Sequence, residues 1–187
     1  VGVYSAVLAA LAAEPDKDLS SACLSLFRRI QSTEKWQPST RMYTSVIFSQ
    51  RVQGQDGRKE AFRLFREMLE LERSESSVVS LDAFVFETVL RVLHSKDDLV
   101  AARSSLEVLT TMLRFYLVEG KQDLAPNQIC MDSCLDCLAK SGDEKARKAA
   151  LELLKQLKGL HKNGALSASP SEKVERFVQD SHSENHI

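Results

Sequence analysis

The sequence predicts an all-α chain, a right-handed α-solenoid of four helix–turn–helix repeats plus a short C-terminal helix. Three observations predict it. Glycine (7) and proline (4) are scarce among the 187 residues, and long segments carry apolar side chains at helical spacing, whereas alternating strand patterns are weak. Residues 84–112 lie over residues 129–157 without a gap, apolar on apolar: Val89 meets Cys134, Leu90 meets Leu135, Ala101 meets Ala146, and Leu109 meets Leu154. Finally, Tyr4, Tyr43, Phe86 and Met131 recur at intervals of 39, 43 and 45, each followed by a small or polar residue and an apolar stripe. Recurrence at such a period is the signature of a helical repeat array.

The elements follow in order. Repeat one (1–39) pairs "GVYSAVLAALA" with "LSSACLSLFRRI" across the turn "EPDKD". Trp36, before the junction proline Pro38, is expected to pack between repeats one and two. Repeat two (40–82) pairs "TRMYTSVIFSQ" with "KEAFRLFREMLEL", and "GQDG" is expected to be its turn. Ala61, Phe62, Leu64, Phe65, Met68, Leu69 and Leu71 give the second helix its apolar stripe. Repeat three (83–127) turns at "SKDD", and repeat four (128–171) at "SGD". Asp and Gly in these turns break the helices and cap the next ones. Residues 163–171, "NGALSASPS", read as a linker, and 172–187 as a capping helix or partial repeat with a frayed tail. A helix pair cannot cover its own apolar face, so neighbouring pairs must stack.

Three of the four cysteines, Cys130, Cys134 and Cys137, crowd one first helix. The register puts Cys134 and Cys137 where repeat three has valines, so they are read as small buried apolar side chains. Tetrahedral zinc would require a fourth ligand, and none is evident. Cysteine usage of this kind suits a reducing compartment.

Composition excludes several classes. Net charge is −1, which argues against a strongly basic nucleic-acid binder, though not against a local basic strip. No run of 18 apolar residues occurs, so no membrane span is expected. There is no phosphate loop, HExxH or GxSxG, so neither an enzyme, a cofactor nor a small-molecule substrate is expected. His94 and His161 stand near helix ends. His182 and His186 have the spacing of two ligands, but lie in the polar tail "SHSENHI". The chain starts at Val1 inside a helical pattern and is expected to be a piece of a longer array.

The first helices "PSTRMYTSVIFSQ" and "PNQICMDSCLDCLAKSGD", with the second helix "EAFRLFREM", resemble pentatricopeptide repeats. Pro38-Ser39, Leu81-Asp82 and Pro126-Asn127 fall at the junctions where that family has Pro-Asp or Pro-Asn. The resemblance covers residues 1 to about 171 and lies in the register across four units. It implies binding of single-stranded RNA in a mitochondrion or plastid, at about one base per repeat. Carried over by position, it implies the reading pairs Ser5 with Ser39, Thr44 with Asp82, Glu87 with Asn127, and Asp132 with Ser171. It implies stacking positions at Gly2, Arg41, Phe84 and Ile129. Arg41, Arg51, Arg91, Lys96 and Lys140 are the candidate phosphate contacts. The alternative is a protein–protein interaction scaffold of the same architecture, favoured by the near-neutral charge and the acidic Glu87 and Asp132.

Overall fold

A computed structural model describes residues 2–33, 37–74 and 78–183, with side chains described to residue 181. Trp36 and His186 lie outside the described residues, as does the side chain of His182. The described residues form helices and connecting turns with no strand: α1 (Gly2–Ala13), α2 (Lys17–Gln31), α3 (Thr40–Ser49), α4 (Gly54–Glu72), α5 (Ala83–Leu93), α6 (Leu99–Leu117), α7 (Gln128–Ala139), α8 (Glu144–Lys162) and α9 (Glu172–Ser183). They divide into two compact units, Val1–Leu81 and Asp82–Ile187.

The helix starts are written locally. Asp16, Asp82, Asp98, Asn127 and Asp143 each stand in extended backbone before a helix. Each accepts a hydrogen bond from the amide three residues on, at 2.8–3.0 Å. Such a cap answers an amide that the helix leaves open and stabilises by about 1 kcal/mol.

In the first unit α1 packs on α2 and α3, and α3 packs on α2 and α4. Leu8, Cys23, Phe27, Tyr43, Val46, Ile47, Leu64, Phe65 and Met68 fill the interior. Phe27 meets Tyr43 edge to face, with ring centroids 4.8 Å apart. Such a pair adds about 0.5–1.5 kcal/mol beyond the area it buries. On the outer side Arg28 of α2 bridges to Glu60 at 2.9 Å and Glu67 at 3.1 Å, both on α4. Burial pushes the Glu60 carboxyl up; Arg28 opposes this and Glu67 adds to it.

"GQDG" is not the turn of the second hairpin. The reversal is made by a short 3₁₀ turn, Gln50–Val52, and Gly54–Gly57 form the first turn of α4. Gly54 takes φ +63° and redirects the chain. Arg51, expected to meet phosphate, is instead engaged inside this unit. Its guanidinium donates to the carbonyls of Ala12 (2.8 Å), Ala13 (3.0 Å) and Phe48 (3.0 Å), and lies over the Phe48 ring at 3.9 Å. It thus closes the carbonyl end of α1, where a cation is favoured by the helix dipole. Arg51→Ala is expected to lower the stability of this unit by about 2 kcal/mol, read by urea denaturation. Arg51→Lys is expected to recover only part of it, because an ammonium lacks the planar fork.

In the second unit α7 is central, packing on α5, α6, α8 and α9. The 45-residue register read from the sequence coincides with burial. Val85 and Cys130, Phe86 and Met131, Val89 and Cys134, Val92 and Cys137, and Met112 and Leu157 are buried pair by pair. The helix α9 contacts α7 and α8 as α7 contacts α5 and α6, and its Val178 is fully buried.

Candidate nucleic-acid interface

All four junction residues of the carried-over pairs stand at first-helix starts. Ser39 precedes α3, Asp82 caps α5, Asn127 caps α7, and Ser171 precedes α9, its hydroxyl 3.4 Å from the Val174 amide. Capping therefore accounts for Asp82 and Asn127 without a base, whereas the Ser39 side chain makes no capping hydrogen bond.

In the second unit two pairs come into contact. The Asn127 amide donates to the Glu87 carboxylate at 3.2 Å, and Glu87 also pairs with Arg91 at 2.6 Å. The Ser171 backbone amide donates to the Asp132 carboxylate at 2.8 Å. Each first helix thus holds the start of the next with a carboxylate. In the first unit an analogous bond is made by Thr40, whose hydroxyl donates to the Ser80 carbonyl (3.1 Å) and accepts from its amide (2.9 Å). Thr44 is buried, and its hydroxyl donates to the Thr40 carbonyl at 2.8 Å. Ser5 and Ser39 are half-buried. Thr44 belongs to the first unit and Asp82 to the second.

The positions three residues before Glu87 and Asp132 are open to solvent. Phe84 is 65 % exposed and Ile129 49 %, on the first turns of α5 and α7. Two large apolar side chains left at equivalent places on neighbouring helices are a feature that packing does not require. Arg41 and Gly2 are exposed as well, on α3 and α1.

Toward the other end of the same helices lies a cleft lined by Arg91, His94, Asp132, Asp136, Lys140 and Lys173, among others. His94, at the end of α5, meets Asp136 of α7 at 2.5 Å, and Lys140 meets the same carboxylate at 2.6 Å. Burial alone would raise the Asp136 carboxyl; the hydrogen bonds from His94 and Lys140 outweigh it and hold it below the usual range. A carboxyl lowered by folding stabilises above its unfolded pKa of about 3.9 and loses that contribution as the pH falls through the folded value. Asp136→Asn is therefore expected to destabilise this unit at neutral pH and to approach the wild type in acid, as the pH falls through the folded value of the Asp136 carboxyl. Urea midpoints measured across that range check it.

Asp136 and Lys173 were not singled out in the sequence. The spacing of Asp136 and Lys140 on one helix was a signal for that pair; the partnership with His94 is tertiary. Lys96 is exposed in the turn after α5. All four cysteines are buried with free thiols. Burial pushes Cys130 up to about 11 and Cys134 up to about 12, and raises Cys137 and Cys23 too, which disfavours the thiolate form that thiol chemistry requires. Among the described residues no group of three or more His, Cys, Asp or Glu is placed to hold a metal ion. Among them also, no helix is long and apolar enough to cross a membrane. No family model matches the chain, and no curated protein matches it.

Proposed function

We propose that this chain is an RNA-binding module of pentatricopeptide type. In this reading 1–39, 40–82, 83–127 and 128–171 are the repeats of a right-handed α-solenoid. It belongs to a longer array acting in RNA processing, stability or translation in a mitochondrion or plastid. One observation carries the reading: Phe84 and Ile129 stand exposed at equivalent turns of neighbouring first helices, each three residues before a carboxylate that touches the next helix start. A base entering between the two side chains is flanked by a ring and a branched aliphatic, a stacking platform that any base can use. Glu87 with Asn127, and Asp132 with Ser171, line the edge where that base presents its donors. The cations Arg91, Lys140 and Lys173 border the path of the phosphates, and their attraction is weakened by salt.

A protein-interaction scaffold of the same architecture is the second reading. It is favoured by the bonds that already engage Glu87, Asn127 and Asp132 within the protein, and by the negative charge they set near a polyanion. Titration of the full chain into a labelled single-stranded RNA at low salt separates the two. Saturable binding that weakens as salt is raised is expected; no binding at low salt leaves the scaffold.

A further inference from the structure

The helix α8 concentrates cations in a chain that is otherwise balanced. Its 19 residues hold six Lys and Arg against two Glu, whereas the net charge of the whole chain is −1. Its buried side chains, Ala146, Ala150, Leu153, Leu154 and Leu157, fall on one side of the helix. Lys148, Lys155 and Lys162 stand on the opposite side, exposed and seven residues apart. At 1.5 Å per residue, successive lysines are about 10.5 Å apart along the axis and form a nearly straight row. Lys148 pairs with Glu144 at 2.5 Å. Lys155 and Lys162 make no ion pair among the described residues, although Glu152 stands one turn before Lys155. The 45-residue register puts Arg103, Thr110 and Leu117 of α6 at the same three places. The outer face of a second helix therefore does not require lysines there, and on α6 Leu117 is left 42 % exposed.

We infer that the Lys148–Lys155–Lys162 row docks an acidic helix of a partner protein, one that carries Asp or Glu seven residues apart along a single stripe. The rest of the exposed face of α8 selects this occupant over other anions. It has no exposed Phe, Tyr, Trp or large aliphatic side chain. A nucleic-acid base therefore meets no platform to stack on, and a lipid surface receives no apolar anchor. What remains is charge at a fixed interval. A helix repeats at that same interval, since its own residues seven apart are also about 10.5 Å apart. Lysines facing carboxylates across such a seam set partner choice and orientation, as flanking charges do between coiled helices. The pairs lie in solvent, so the affinity is modest and falls as salt is raised. The second unit's candidate RNA residues lie on or beside α5, α7 and α9, so the inference rests on neither reading of that interface.

The test titrates the full chain into two labelled alanine-rich peptides of identical composition, each about 20 residues long so that both are helical in water. One carries its glutamates in a single seven-residue stripe, and the other carries them scattered around the helix. Fluorescence anisotropy at low salt is the readout. The striped peptide is expected to bind about tenfold more tightly than the scattered one, and raised salt to release it. Lys155→Glu with Lys162→Glu is expected to remove the preference and to leave single-stranded RNA binding unchanged. Lys155→Arg with Lys162→Arg is expected to keep the preference. The substituted side chains are exposed, and unchanged hydrogen exchange in α8 shows that the helix is intact. Absence of RNA binding would leave the peptide result readable, so the two readings fail separately. Equal binding of the two peptides overturns the inference, as does a preference that survives the charge reversal. So does single-stranded RNA, or a phosphatidylserine vesicle, that the wild type binds and the reversal releases, because a phosphate would then be the occupant.

Discussion

Gly57→Ala is expected to destabilise the first unit by about 3 kcal/mol, among the largest effects of adding a single methyl group. A Cβ at Gly57 would stand 2.2 Å from the Gln50 carbonyl oxygen and 2.6 Å from the Gln53 Cβ. No real Cβ tolerates either contact, and the first is to backbone. The 3₁₀ turn cannot give way cheaply, because Gln50 is buried and tied to the interior. Its side-chain amide donates to Ser49 at 3.0 Å and lies 3.4 Å from the Ser20 hydroxyl, which in turn donates to the Ser49 carbonyl at 2.9 Å. Moving the turn therefore leaves buried polar groups unanswered, each at a cost of about 1–3 kcal/mol. Alanine's advantage over glycine within a helix, about 1 kcal/mol, offsets only part of this. Hydrogen exchange resolved by helix is the measurement: α1–α4 should lose protection while α5–α9 keep theirs. Unchanged protection in α4 would show that the close approach at the turn does not constrain the fold.

The same turn marks how far sequence reasoning reaches. The helices and their caps were legible because both are local: an Asp or Asn before an apolar stripe acts on the amide three residues on, whatever the rest of the chain does. The cysteines were legible through register, since Cys134 occupies the place of Val89 and both are fully buried. "GQDG" was misplaced because its glycines serve two separate needs, a positive φ at Gly54 and a close approach at Gly57. The second is set by a carbonyl outside the helix. Arg51 looked like any surface cation; only the fold brings the end of α1 beneath it. His94 and Asp136 are likewise joined by packing across 42 residues. At the candidate interface, the pairing of the junction residues with Glu87 and Asp132 came from the family resemblance, and the caps that Asp82 and Asn127 supply emerged only in the structure. The exposure of Phe84 and Ile129 was readable only through that resemblance, which makes them stacking positions, since an apolar residue in a first turn is ordinarily part of the core.

Replacing Phe84 and Ile129 together by alanine is expected to weaken single-stranded RNA binding by about 10- to 100-fold. Loss of a stacking side chain costs about 1–3 kcal/mol per base, and each 1.4 kcal/mol is a factor of ten. The fold should be indifferent, because substitutions of exposed side chains usually shift stability by no more than about 0.5 kcal/mol. Val118→Ala is the control of matched chemistry, removing apolar surface at a residue 78 % exposed just after α6. Salt dependence separates stacking from charge. The double variant removes no cation, so the slope of log affinity against log salt should stay as in the wild type while the whole line drops. Lys140→Ala should instead flatten the slope by about 0.7, the release expected for one phosphate on a single strand. RNA bound equally well by the double variant, with the slope still reduced in Lys140→Ala, would leave a purely electrostatic contact and remove the stacking platform. Because Phe84 and Ile129 make no ion pair and fill no core, no loss of charge or of folding can mimic the drop expected from their removal.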